Sequence, residues 1–237
     1  RSCPHDNISW RLRPMSSEAI QGARPHWDEA WFMLALLALT SFHGLTMVLG
    51  WEYWIQATAH AIGESGLPLW SFSIGFVASL LFASLLYLLV VQLTRLLAGR
   101  AIPFKRLFSG LAFTVLPLAF SYHLAHNLNH VVRESAGLSS VLANPLGIDA
   151  VPLTLMERHA RHLALLIPEN LLFALQAGLL IFGFWIALQV LRHRGCELFA
   201  TGRGLAGKRL LPMLLFIVGF TAFNLWLMME PMAVRVY

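Results

Sequence analysis

Five long apolar segments constrain the possible folds of this chain more than any other feature. A membrane-crossing α-helix needs about 20 mostly apolar residues to traverse the hydrocarbon layer. Hydrophobic residues make up 57% of the 237 residues and charged residues only 12%, whereas soluble domains carry about 25% charged residues. We therefore predict an all-α integral membrane bundle of about five transmembrane helices, namely Trp31–Gly50, Leu67–Leu97, Leu107–Val132, Pro168–Leu191 and Leu210–Met229.

The basic residues predict how this bundle is oriented. Thirteen of the 17 Lys and Arg residues lie in the N-terminal segment, in the loop between spans two and three, or in the loop between spans four and five. By the positive-inside rule, the N-terminus is cytoplasmic and the C-terminus lies outside, in a bacterial inner membrane. We divide the chain into a cytoplasmic segment, residues 1–30, and a five-span domain, residues 31–237. The net charge of +5 thus reflects topology, and no nucleic-acid partner is expected.

Other local signals refine this arrangement. Trp51–Gly66 and Pro152–Ile167 have one apolar and one polar face, which predicts helices lying on the outer membrane surface. Pro117, inside the third span, predicts a kink one to two turns before the histidines of that span.

Histidines concentrate on the predicted outer side, where seven of the ten are found. His123, His126 and His130 follow one another at i, i+3 and i+7 in the third span, so they fall within about 60° on one helix face. Ionisable residues within a bilayer usually mark a functional site. We expect these three side chains to face the bundle interior, toward His43 of the first span.

Three kinds of chemistry are compatible with these residues. A haem b would take His43 and one histidine of the third span as axial ligands. A quinone site would pair a histidine with a carboxylate such as Glu169, at the start of the fourth span. A transition-metal ion would take its ligands from His123, His126 and His130. The histidines could also serve packing alone, and no enzyme class follows from these motifs.

The N-terminal residues carry a resemblance to a known family. Ser2-Cys3-Pro4-His5-Asp6-Asn7 resembles the end of the bacterial ferredoxin motif, in which the last of four cysteines precedes proline. Multi-span membrane ferredoxin proteins of the NapH and NosR kind carry such motifs on the cytoplasmic side. The resemblance implies that Cys3 ligates a 4Fe–4S cluster whose other cysteines precede Arg1. It also implies electron transfer between quinols and partner subunits.

The leading hypothesis is a membrane subunit of an electron-transfer complex, with a quinone or haem site in the outer half of the bilayer. Its partners would be other subunits of the complex and the lipid bilayer. One alternative is a histidine-based metal-binding or metal-transport protein. Another is a non-catalytic membrane anchor or assembly subunit.

Overall fold

The computed structural model describes residues 12–14, 16–157, 167–199 and 206–230, and this part of the chain contains helices and no β-strand. The predicted all-α bundle is confirmed. Cys3 and the greater part of the predicted surface helix 152–167 lie outside the described residues. The helices are α1 Trp27–Leu45, α2 Leu49–Ile62, α3 Leu69–Leu97, α4 Phe104–Ala112, α5 Val115–Glu134, α6 Leu138–Ala143, α7 Glu169–Phe199, α8 Ala206–Arg209 and α9 Leu211–Met229.

Within the part of the chain that the structure describes, four helical segments are long and apolar enough to cross a membrane: α3, α4 with α5, α7 and α9. The chain is therefore a multi-pass membrane protein that contacts the lipid bilayer. The first predicted span corresponds to α1, which is not among these four segments. It carries Asp28 and Glu29 in its first turn and His43 in its last, and these residues make it more polar. It nevertheless packs lengthwise between α3 and α5.

The end predicted for the first span, Gly50, is wrong. Helix α1 ends at Leu45, and after a short turn α2 begins at Leu49. Helix α2 confirms the helix predicted near Trp51–Gly66. Its Trp51 and Ile55 are buried, and both Trp51 and Trp54 lie against Gly75 of α3.

The segment formed by α4 and α5 is the centre of the bundle. Its apolar stretch is 78% buried, against 28% for α3, 33% for α7 and 39% for α9. The helix is interrupted at Phe113 and Thr114, because Pro117 has no N–H to donate to the Phe113 carbonyl and its ring crowds that oxygen. The predicted kink therefore lies one turn before Pro117.

Close packing and polar contacts join the central helix and its neighbours. A Cβ atom at Gly183 of α7 would overlap the Ser121 side chain of α5, so the two backbones approach closely. Gln176 of α7 donates to the Ala125 carbonyl at 2.9 Å. Asn224 of α9 accepts from the Ser41 hydroxyl of α1 at 3.4 Å. Each such contact in a membrane interior is worth about 1 kcal/mol.

The two ends of the bundle differ in charge. We call one the basic end, where α1, α4 and α9 begin and α3 and α7 end, with Arg95, Arg100, Lys105, Arg106, Arg192, Arg194, Lys208 and Arg209. We call the other the histidine end, where α1, α5 and α9 end and α3 and α7 begin. The predicted orientation of these ends across the membrane stays a prediction.

At the basic end, the buried guanidinium of Arg194 connects α7 to the N-terminal segment. Arg194 of α7 is 2% exposed and donates to the carbonyls of Ala19 at 2.9 Å and Ala23 at 2.8 Å. Its guanidinium also lies 4.5 Å from the Phe113 ring. These bonds attach the π-helical turn Glu18–Gly22 to the end of α7, so this part of the predicted N-terminal segment packs on the bundle.

Candidate metal centre

Helices α1 and α5 run side by side toward the histidine end and bring His43 against His126. The two ring centroids lie 4.7 Å apart, edge to face. This approach depends on Gly44, because a Cβ atom there would overlap the hydroxyl of Tyr122 on α5. His126 is only 1% exposed, whereas His43 is exposed. The pair therefore has one ring inside the bundle and one at its surface.

His130 completes a cluster of three imidazoles. Its ring lies one turn beyond His126, with the ring centroids 5.0 Å apart and the two Nε2 atoms 3.3 Å apart. One ring nitrogen from each of His43, His126 and His130 lies within 4.8 Å of the other two. Nitrogens about 2.0–2.1 Å from a tetrahedral zinc ion lie about 3.3–3.4 Å from each other. His126 and His130 already have this spacing.

Two buried polar atoms beside the cluster have no hydrogen-bond partner among the described residues, His126 Nδ1 and the Tyr122 hydroxyl. A buried polar atom without a partner is costly, and such atoms commonly contact an ion or an ordered water. The two side chains are four residues apart on one face of α5, with ring centroids separated by 6.0 Å. The cluster thus has unused binding capacity on the protein's interior side.

His123 is not part of this cluster, so the expectation that it faces the interior is wrong. It is exposed, and Asn127 donates to its backbone carbonyl at 2.7 Å and contacts its ring. It lies next to the exposed face that carries Phe120 and Leu124. It is also seven residues from His130, about 10.5 Å along the helix, which is too far for both to share one ion with His126.

Glu169 lies at the start of α7, as predicted, but it does not join the histidines. Its side chain is 79% exposed, and its carboxylate is 3.7 Å from the Arg133 guanidinium. Arg133 in turn donates from Nε to Asn129 Oδ1 at 2.8 Å. These residues connect the end of α5 to the start of α7. The metal ligand predicted at Cys3 lies outside the described residues.

Tyr122 and Gly44 are the two residues of the centre to which the sequence analysis gave no role. Their signal is positional, because Gly44 directly follows His43 and Tyr122 precedes His126 by one helical turn. Comparison of the chain with protein-family models, with curated proteins and with solved structures found no match in any of the three. Inference about function therefore begins with the histidine cluster.

Proposed function

We propose that this multi-pass membrane protein binds one transition-metal ion through His43, His126 and His130. The observation that carries the proposal is the convergence of three ring nitrogens within 4.8 Å. Two of them have the spacing of ligands on one tetrahedral ion. Helices α1 and α5 both contribute, so the centre depends on tertiary packing and not on a local motif alone.

The ligand chemistry favours particular metals. Imidazole nitrogens suit zinc, copper, iron and nickel, whereas magnesium and calcium take carboxylate and carbonyl oxygens. The cluster is made of histidines alone. Three protein ligands would leave a fourth position for water or another small ligand, as in catalytic zinc sites. The exposed His43 gives an ion access from the surface of the bundle, and the buried His126 holds it against the core.

The electron-transfer hypothesis has less geometric support. The two axial nitrogens of a haem lie on opposite faces of the ring, about 4 Å apart or twice a metal–nitrogen bond. In the predicted pair, the rings of His43 and His126 lie edge to face with their centroids only 4.7 Å apart, which leaves no room for a porphyrin between them. A copper ion in the same centre would give it a redox role. A role beside partner subunits in a bacterial inner membrane stays a prediction.

Metal binding can be measured directly on the full chain. The protein is purified without a polyhistidine tag, stripped with a chelator, loaded with Zn²⁺ or Co²⁺, desalted and assayed by elemental analysis. We expect one ion per chain and, with Co²⁺, the visible absorption of a tetrahedral site. His126→Ala is expected to abolish binding. His43→Ala removes an exposed ligand and is expected to weaken binding about tenfold to a hundredfold, with the fold intact.

His123→Ala is the matched control, because His123 lies on the same helix but outside the cluster. It should bind the ion as the unaltered protein does. Equal loss in this control and in His43→Ala would mean that binding is a general property of surface histidines. Full retention by His43→Ala and His126→Ala together would also overturn the proposal.

A further inference from the structure

A cleft opens at the basic end, between the first turns of α1 and α4 and at the opposite end from the cluster of His43, His126 and His130. Its volume is about 490 Å³, and Trp27, Asp28, Lys105, Arg106 and Ser109 are among its lining residues. Below it, the Phe108 ring packs against Trp27 at 4.4 Å and Trp31 at 4.9 Å. These aromatic contacts join the starts of the two helices.

Two helix N-termini face this cleft, and neither has a side-chain cap. The first N–H groups of a helix have no partner within the helix, and together with the helix dipole they attract anions. Helix α1 has Asp28 and Glu29 in its first turn, which complement its own dipole. Helix α4 has no acidic residue there and carries Lys105 and Arg106 instead. Cations at this position are unfavourable unless an anion neutralises them.

The polar groups of α4 are free to bind a ligand. Ser109 lies four residues after Lys105 and three after Arg106, so it neighbours both basic residues on the helix surface. Lys105 lies over the Trp27 ring at 5.8 Å, and neither cation forms an ion pair with a described residue. Ser109 is 4% exposed, and its hydroxyl makes no hydrogen bond to another described residue. This largely buried side chain lines the cleft, and it is a second, independent sign of a ligand.

The position of the cleft indicates where its ligand comes from. The apolar span that contains α4 begins at Phe104, so Lys105 and Arg106 lie at the depth of the lipid headgroups. Basic residues next to a span attract anionic lipids. We propose that the cleft binds the phosphate group of an anionic phospholipid. Lys105 and Arg106 neutralise the phosphate, the α4 N–H groups and Ser109 donate to its oxygens, and Asp28 remains with the α1 dipole.

Native mass spectrometry of the full chain in detergent would test this site. The probes are phosphatidylglycerol and phosphatidylcholine with identical acyl chains. We expect the unaltered protein to retain one phosphatidylglycerol, with at least tenfold preference over phosphatidylcholine. The double variant Lys105→Gln, Arg106→Gln should lose this preference, since each charge-assisted hydrogen bond contributes about tenfold or more. Ser109→Ala should weaken retention several-fold.

The matched control is Arg192→Gln, Lys208→Gln, which removes the same charge from the same end but away from the cleft. It should retain the lipid as the unaltered protein does. Equal loss in the control would show that only the overall charge matters and would overturn the proposal. Displacement of the lipid by an equal concentration of inorganic phosphate would assign the cleft to free phosphate and overturn the lipid assignment. The test is independent of the metal centre.

Discussion

At the scale of single residues, the contact between Gly44 and Tyr122 lets α1 and α5 approach closely enough for His43 to pack against His126. A methyl group at position 44 would overlap the Tyr122 hydroxyl, and Tyr122 is 1% exposed, so the ring has little space to move. Gly44→Ala should therefore push α1 away from α5 and carry His43 with it. We expect the protein to lose about 1–3 kcal/mol of stability and to bind the proposed metal ion more weakly. Thermal unfolding and metal competition measure the two effects.

Gly178→Ala is the control for this substitution. A Cβ atom at Gly178, in the middle of α7, would have no neighbour within 4 Å. The control should unfold at the same temperature as the unaltered protein or at a higher one, because alanine favours a helix more than glycine. If both alanine variants behave alike, close packing at Gly44 does not position His43.

The centre shows what helical periodicity can and cannot predict at this scale. The spacing of His126 and His130, together with His43 on another span, was sufficient to predict that these residues meet. The same periodicity wrongly included His123, because helical periodicity gives the angle of a residue around the helix axis but not its position along that axis. The role of Gly44 could not be predicted, since it depends on which helix packs opposite.

At the scale of the elements, Glu64 fixes the start of α3. Its carboxylate accepts from the Ser71 hydroxyl at 2.6 Å and from the backbone N–H groups of Trp70 at 2.7 Å and Ser71 at 3.0 Å. These hydrogen bonds, that of the Ser71 hydroxyl first, lower the pKa of Glu64 below its ordinary value of 4.5. The ionised carboxylate therefore favours the folded start of α3.

This interaction has a definite pH dependence. Because the pKa of Glu64 is lowered in the folded protein, its stabilising effect is complete above about pH 4.5. The effect is lost as the pH falls through the lowered value. We expect lower hydrogen-exchange protection at Trp70 and Ser71, relative to the intrinsic exchange rate at each pH, below this pH and in Glu64→Gln at every pH. Asp149→Asn, in an exposed turn, is the control. Unchanged exchange in Glu64→Gln would contradict the capping role.

The ends of the helices were predictable only where the apolar pattern stops or where a glycine or proline interrupts it. The end of α3 at Leu97 and the span of α9 follow directly from the apolar pattern. The turn between α1 and α2 falls at Thr46–Val48, where there is neither glycine nor proline, so nothing in the sequence indicated it. Pro117 was sufficient to predict that the third span is interrupted. Because a proline removes the hydrogen bond to the residue four positions before it, the interruption lies one turn earlier, at Phe113 and Thr114.

At the scale of the whole molecule, the separation of charge between the two ends predicts an orientation. With the basic end in the cytoplasm, Ala101 lies on the inner side and Ser139 on the outer side. Single cysteines can test this in a chain carrying Cys3→Ser and Cys196→Ser. In intact cells, a membrane-impermeant maleimide should label Ser139→Cys. It should label Ala101→Cys only after the membrane is permeabilised.

Each of these two cysteine variants serves as the control for the other. The reverse pattern, with Ala101→Cys labelled in intact cells, would place the basic end outside and contradict the predicted orientation. Labelling of both variants before permeabilisation would contradict a fixed topology.

The all-α class and four of the spans followed from composition and segment length. The central position of α4 and α5 did not, because an apolar segment looks the same whether it faces lipid or protein.

That central position also governs the order of events during synthesis. Helices α1 and α3 precede α5 in the chain, whereas α7 and α9, which cover its remaining sides, are made later. When α5 leaves the ribosome, α7 has not yet been made, so the Ala125 carbonyl does not yet accept its hydrogen bond from Gln176. The polar side of α5 still faces lipid or the insertion machinery. Because polar groups are costly in lipid, the histidine-bearing helix reaches its final environment only once the last span has been inserted.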